Sequence, residues 1–418
     1  MVRKLQHVLQ KRLEEMYQYY YKGIGSSIRK RRLEMRMTQE ILAKGICSNT
    51  YISKIENNAI VVKRENLSLI MERMNLPLSA IGFPEEMVDI LERSFRLFCQ
   101  KDIHGYEQLI ADIAKYEFGI LIQVARLGYY VLIGDSDAAR PIYDELFRYL
   151  NALEEYGLVI FILYACWYNI LIFDYETARN IIELIESSLY LSDDIFAMFH
   201  YLEYVIYGNL HSFHKARSGL LMARGYFFES NNLARMGEMM VYKNLFELYE
   251  YPEANFIFNA EGIDYLSPSQ RNFYLWMLTT ANTNPDSFRD FFDPSGKYCF
   301  EFLYFLAIRY HQDGLIEAYE KTKVQLAEKI CEKPAPVDFH QLLIQREHKH
   351  SLEYKENLIN ILLPYILSIQ NIHLLRLLTD EVVEICSRNK RYKDALGYQE
   401  KFKQTLFQLQ SLKKYAID

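Results

Sequence analysis

The sequence predicts an all-α chain in two parts, a small basic helical head followed by a long array of paired helices. Three observations carry this. Only 17 Gly and 10 Pro are spread over 418 residues, too few for the many turns of an all-β fold. Between Ile24 and Leu76, short apolar-periodic segments begin at good helix-start residues. Further on, segments centred on Ala139, Ala178, Ala216 and Ala254 recur at steps of 39, 38 and 38, as repeated supersecondary units do.

Composition sets the bounds. Half the chain is apolar, 24% charged and 15% aromatic, which excludes a disordered chain. Cys47, Cys99, Cys166, Cys299, Cys331 and Cys386 form no Cys-x-x-Cys pair. Reduced thiols and a cytoplasmic location are expected, not a disulfide framework or a zinc site. No secretory signal is expected, because residues 1–22 are charged throughout. Leu158 to Phe173 is strongly apolar, but it is shorter than the about 20 residues of a membrane span. Glu154, Glu155 and Asp174 close it off, so a buried helix is expected and no membrane association. Residues 1–76 hold 15 Lys and Arg against seven acids, a balance of +8. The chain totals −6, so the remainder carries −14. A basic head on an acidic body fits a polyanion-binding module joined to something else.

Residues 1–22 read as an amphipathic helix, with Leu5, Val8, Leu9, Leu13, Met16 and Tyr20 on one face and basic residues on the other. It could pack on the next domain, pair with a second subunit or touch phosphates. Residues 23–76 form the head domain. Ile28, Leu33 and Met37 should line a first helix, with Arg29, Lys30, Arg31, Arg32 and Arg36 around it. Thr38 should cap a second helix that starts at Gln39 and ends at Gly45. Ser48 should cap a third, with Ile52 and Ile55 inward and Asn49, Thr50, Ser53 and Lys54 outward. Asn57 and Asn58 should stop it, and Glu56 should pair with an arginine of the first helix. A fourth helix, roughly Arg64 to Met74, should close the core with Leu67, Ile70, Met71 and Met74.

The run Ile28-Arg29-x-x-Arg32-x5-Thr38-Gln39-x2-Leu42-Ala43, then Ile46-x-Ser48-x2-Tyr51-Ile52-Ser53-Lys54-Ile55-Glu56-Asn57, resembles the Xre/Cro-type helix-turn-helix domain. The resemblance implies that the helix starting near Ser48 lies in the major groove of double-stranded DNA. Ser48, Asn49, Thr50 and Ser53 become base-reading candidates, and the Asn49 amide suits adenine N6 and N7. Gln39 falls where the family contacts phosphate. Lys54, Asn57 and Asn58 become backbone contacts, and Tyr51 belongs to the same surface.

Residues 77–100 read as a linker and linker helix, with Pro84-Glu85-Glu86 as its first turn. Residues 101–418 read as the repeat domain. Each Ala anchor follows an apolar helix and a short polar turn: Gly134-Asp135, Phe173-Asp174, Asn209-Leu210-His211, Gln312-Asp313-Gly314 or Asn389-Lys390-Arg391. Ala318 and Ala395 continue the pattern. This is the layout of a right-handed tetratricopeptide-like helical solenoid, in which a small residue lets one helix pack closely on the next. Residues 282–298 and 331–338 interrupt it. Counting back from each anchor, one helical face carries Gln123, Arg126, Tyr130, Asn169, His200, Glu203, Tyr207, Asn244 and Arg309. Amides suit the backbone of an extended peptide, and arginine suits a carboxylate. The competing explanation for each is hydrogen bonding between repeats.

This arrangement of an Xre-type domain, a linker helix and degenerate tetratricopeptide repeats resembles the RRNPP regulators. The resemblance implies a homodimeric transcription factor that binds operator DNA and is switched by a short signalling peptide in the array. A regulator whose array binds a protein partner is the alternative. Enzyme chemistry is not expected, because Gly-x-Gly-x-x-Gly, Walker-type and His-Glu-x-x-His motifs are missing from the sequence. Neither a cofactor nor a metal is expected. His340, His348 and His350 lack carboxylate or thiol support.

Overall fold

The computed structural model describes residues 24–57, 59–60, 62, 64–75, 84–116, 119–150, 153, 155–184, 192–251, 258, 260–281, 283–348, 351–369 and 371–411. The helix expected over 1–22 lies outside the described residues. All regular elements among the described residues are helical. The chain divides into two compact units, residues 1–206 with 214–235 and residues 207–213 with 236–418.

The first unit opens with the head. Its helices are α1 (Ile24–Glu34), α2 (Gln39–Ala43), α3 (Asn49–Glu56) and α4 (Arg64–Arg73). Ile28, Leu42, Ala43, Ile52, Ile55, Ile70, Met71 and Met74 form its core, with Leu67 and Tyr51 packed against it. The starts and stops follow local rules. Thr38 Oγ1 accepts the Ile41 N–H and Ser48 Oγ accepts the Tyr51 N–H. Gly45 leaves α2 in the left-handed region at φ +74°.

The expected face of α1 needs correction. Leu33 is 52% exposed, and Met37 lies beyond the helix. The chain turns left-handed at Arg36, φ +54°, so the helical period does not reach Met37. The place one turn after Ile28 goes to Arg32, which is buried because it pairs with Glu56.

After the head the first unit continues with α5 (Pro84–Gln100), α6 (Ile103–Ile113), α7 (Ile120–Ile133), α8 (Ser136–Arg148), α9 (Glu155–Leu171), α10 (Tyr175–Ile182), α11 (Asp193–Asn209, its residues to 206) and α12 (Phe213–Glu229, from His214). One device recurs at the turns. A left-handed residue ends one helix and an Asp side chain caps the next. It occurs at Lys101-Asp102, Gly134-Asp135 and Phe173-Asp174. The cap carbonyl then takes the N–H four residues on, at Ala139 and Ala178. That places Ala139 and Ala178 in the buried seam between paired helices, and Ala216 is buried as well. At Ala178 the approach is close enough for the Cys166 thiol to reach its carbonyl. Helix α9 is buried at every residue from Leu158 to Ile170. No helix among the described residues is long and apolar enough to cross a membrane.

The second unit holds α13 (Leu233–Glu250, from Met236), α14 (Pro268–Thr279), α15 (Cys299–Gln312), α16 (Ile316–Glu332), α17 (Phe339–Arg346), α18 (Leu352–Asn357), α19 (Leu363–Ser368), α20 (Ile372–Arg388) and α21 (Tyr392–Ser411). His211, Gly314 and Lys390 supply left-handed turns where the sequence places them. Ala395 is buried, whereas Ala318 is partly buried beside the inward Tyr319. Ala254 lies outside the described residues. The first interruption folds as two short 3-10 turns, Pro285–Ser287 and Arg289–Phe291. Asn272 staples it to α14, donating from Nδ2 to the carbonyls of Asp293 and Lys297 and accepting the Asp293 N–H. A π turn at Leu358–Leu362 joins α18 to α19 just before Pro364, which has no N–H to continue the ladder.

Candidate nucleic-acid interface

The head builds one exposed polar row. Ser48, Asn49, Thr50 and Lys54 project from α3 into solvent, Asn57 follows at its end, and Ser53 is half-buried. Asn58 lies outside the described residues. Ile52 and Ile55 face the opposite way into the core, so burial fixes the rotation of α3 and therefore which residues it presents. Tyr51 is half-buried, with its ring against the core.

A buried charge network locks this helix. Arg32 Nε donates to Glu56 Oε1 at 2.6 Å and Nη2 to Oε2 at 2.9 Å. A third bond runs from Arg32 Nη1 to the Met37 carbonyl, 2.7 Å. This two-pronged geometry is the strong form of a carboxylate pair, and the carboxylate holds the guanidinium pKa above its ordinary value. Glu56 therefore has the structural role the sequence suggests. Gln39 adds a feature the sequence did not signal, since its Nε2 donates to Glu56 Oε2 at 2.8 Å. Helices α1, α2 and α3 thus meet at one carboxylate.

Two further basic residues have structural tasks. Arg73 Nη1 reaches the carbonyls of Ile41, Leu42 and Lys44, capping the end of α2. Lys30 of α1 pairs with Glu145 of α8 at 2.5 Å, within the first unit. Burial raises the Cys47 thiol pKa, partly offset by Arg73, so the thiol stays protonated.

The polar face of the array separates into three groups. In the first unit Gln123, Arg126 and Tyr130 sit on successive turns of α7, all half-buried. Arg126 Nη2 donates to the Tyr116 carbonyl at 3.4 Å. His200 and Glu203, one turn apart on α11, are half-buried with 2.7 Å between Nδ1 and Oε2. Phe196 stands edge-on to the His200 ring, 4.3 Å away. Asn169 differs. It is 3% exposed, and its Nδ2 donates to Tyr143 Oη at 2.9 Å and to the Ala165 carbonyl at 2.7 Å. Both amide protons are used inside the fold. In the second unit Tyr207 is buried and Asn244 Nδ2 is 3.4 Å from Tyr274 Oη. Arg309 bonds Asp313 and the Ala281 carbonyl at 2.8 and 2.7 Å. Among the described residues no group of three or more His, Cys, Asp or Glu is placed to hold a metal ion.

Residues 28–81 match the helix-turn-helix family model, so the chain carries a helix-turn-helix domain at its head. No curated protein matches the chain. Among solved structures it is similar to PlcR of Bacillus thuringiensis in complex with the peptide PapR7 and DNA. That match has 17% identity, covers 62% of this chain and 96% of the other, and has a TM-score of 0.33. It is also similar to the apo form of the competence regulator ComR from Streptococcus vestibularis, at 14% identity, 64% and 96% coverage and a TM-score of 0.32. A third is the pheromone receptor Rgg2 of Streptococcus dysgalactiae, at 12% identity, 73% and 99% coverage and a TM-score of 0.23.

Proposed function

We propose that this chain is a DNA-binding transcriptional regulator in which α3 reads an operator and the array receives a short peptide that controls binding. One observation carries the DNA reading. Ser48, Asn49, Thr50 and Lys54 are exposed together at the face of a helix that a buried carboxylate network holds rigid. The +8 charge of residues 1–76 supplies the attraction to phosphate. Asn49 reads a base and Lys54 holds the backbone. In the array, Gln123 and Arg126 on α7 and His200 and Glu203 on α11 are the half-buried polar groups suited to a peptide's amides and termini.

The test begins with duplexes selected by the purified chain. Asn49→Ala should cost about 10- to 100-fold in affinity for the selected duplex and little on a scrambled one. Lys54→Ala should weaken both alike and lower the salt slope by about one. Failure of the wild-type chain to select any duplex would end the DNA reading. For the peptide, a pool of penta- to decapeptides should raise the melting temperature by mass action on the native state. Arg126→Ala should abolish that rise while sparing DNA affinity.

A second reading gives the array a protein partner, and the exposed apolar row on α12 favours it. Leu221 is 70% and Phe228 68% exposed, with Met222 beside them. Exposed apolar rows of this kind mark protein contacts. Sedimentation separates the occupants. A concentration-dependent dimer lost in Phe228→Asp assigns the row to a second copy and supports a homodimeric regulator. A chain that stays monomeric at every concentration leaves the row to another protein.

A further inference from the structure

Helical repeats ordinarily touch only their neighbours. Arg235 breaks that rule. It lies in the first turn of α13, is 1% exposed, and belongs to the first unit. Its Nη2 donates to the Phe98 carbonyl at 2.6 Å and its Nε to the Cys99 carbonyl at 3.2 Å. These carbonyls end α5, some 136 residues earlier. Asn232 works beside it. Its Oδ1 caps α13 by accepting the Arg235 N–H at 3.1 Å, and its Nδ2 donates to the same Cys99 carbonyl at 2.9 Å.

The last turn of a helix has carbonyls without intrahelical partners and carries the negative end of the dipole. Basic residues in that turn usually answer both needs, and α5 has none there. Arg235 supplies the charge and the donors from a distant hairpin. Its guanidinium is also enclosed by rings, with its carbon 5.0 Å from the Phe98 centroid, 5.7 Å from Trp167 and 5.6 Å from Tyr201. These rings come from α5, α9 and α11. A planar fork donates at its edge while it stacks on its faces, which an ammonium group does not do. One side chain therefore ties α5, α9 and α11 of the first unit, among them the helix that follows the head.

We propose that Arg235, seconded by Asn232, is a positioning residue for the head: it fixes the end of α5 and thereby the orientation from which the helix-turn-helix domain meets an operator. This rests on the DNA-binding reading above. Arg235 touches no DNA and acts through α5.

The experiment compares the full-length wild type with Asn232→Ala, Arg235→Lys and Arg235→Gln. It uses hydrogen exchange by mass spectrometry and the duplex selected by the wild type, with a scrambled duplex as control. In the folded variants the amides at the end of α5 should exchange about tenfold faster. Affinity for the selected duplex should fall about fivefold or more while affinity for the scrambled duplex holds. Asn232→Ala keeps Arg235 and its rings, so it answers even if Arg235→Gln does not fold. Arg235→Lys keeps the charge and should rescue only part of the loss. Unchanged exchange overturns the clamp. Faster exchange with both affinities unchanged, or both falling together as the folded fraction falls, overturns the positioning role. A wild type that selects no duplex overturns the DNA reading and this role with it. A wild type that binds while the variants bind equally well overturns the inference alone.

Discussion

Arg32 in the head and Arg235 in the array are both buried, and they solve the same problem in different ways. Arg32 meets a carboxylate 24 residues on, inside a domain of four short helices. Arg235 meets helix-end carbonyls and three aromatic rings brought together from distant hairpins. Among the described residues of the head, this buried ion pair joins α1 to α3 and sits beside the apolar core. The array spreads the same task over rings and carbonyls, so one bond can loosen without the unit coming apart.

The sharpest way to break this comparison is Glu56→Ala. It strands Arg32 in the core and frees Gln39, and removing one partner of a buried pair costs about 3–5 kcal/mol. The head should unfold locally while the array keeps its structure. Hydrogen exchange over residues 28–74 should approach the unprotected rate, with the helices from α7 on unchanged, and duplex capture should vanish. Protection in the head at the wild-type level would show that the joint is not what holds it. Glu56→Gln keeps the shape and one acceptor, so it should cost less.

The second unit buries a group of opposite temperament. Burial pushes His373 down to about 4, helped by the nearby His211 and Arg376. Its Nε2 is 2.9 Å from Thr280 Oγ1, and its ring lies beside Tyr249. The folded-state value lies below the unfolded one. The contribution is therefore complete above about pH 6.5 and is lost as the pH falls towards 4, on the order of 3 kcal/mol across that window. In a Trp167→Phe chain the remaining tryptophan is Trp276, in the second unit. Its urea midpoint should drop between pH 7 and pH 5, and His373→Phe should flatten that drop. An equal drop in both chains would mean that His373 does not set the acid sensitivity.

Much of this was legible because it is local. Thr38, Ser48 and Gly45 act within four residues of themselves, so their caps and turns stand in the sequence as they stand in the fold. The Asp caps and Ala seams of the array obey the same short-range rule. Leu33 misled because apolar spacing ranks a leucine above an arginine for the core, and only the distant Glu56 reverses that ranking. Arg235 was invisible because its partners lie 136 residues away and carry no periodicity. For the polar face, spacing placed Tyr130 and Asn169 at equivalent positions in their repeats. It could not say that the neighbouring helix offers Asn169 a tyrosine hydroxyl while Tyr130 stays half-exposed.

That contrast within the array gives the mildest test. Asn169→Ala removes two hydrogen bonds in a buried seam, at about 1–3 kcal/mol. Arg126→Ala removes a half-buried side chain with one long bond to the Tyr116 carbonyl and should fall within about 0.5–1 kcal/mol. The melting temperature of the first unit should therefore fall clearly for Asn169→Ala and little for Arg126→Ala. The peptide-induced rise should order them the other way, surviving on the lowered baseline of Asn169→Ala and disappearing in Arg126→Ala. An Asn169→Ala chain with the wild-type melting temperature but no peptide response would return that amide to the ligand, and the seam around Tyr143 would then need another source of stability.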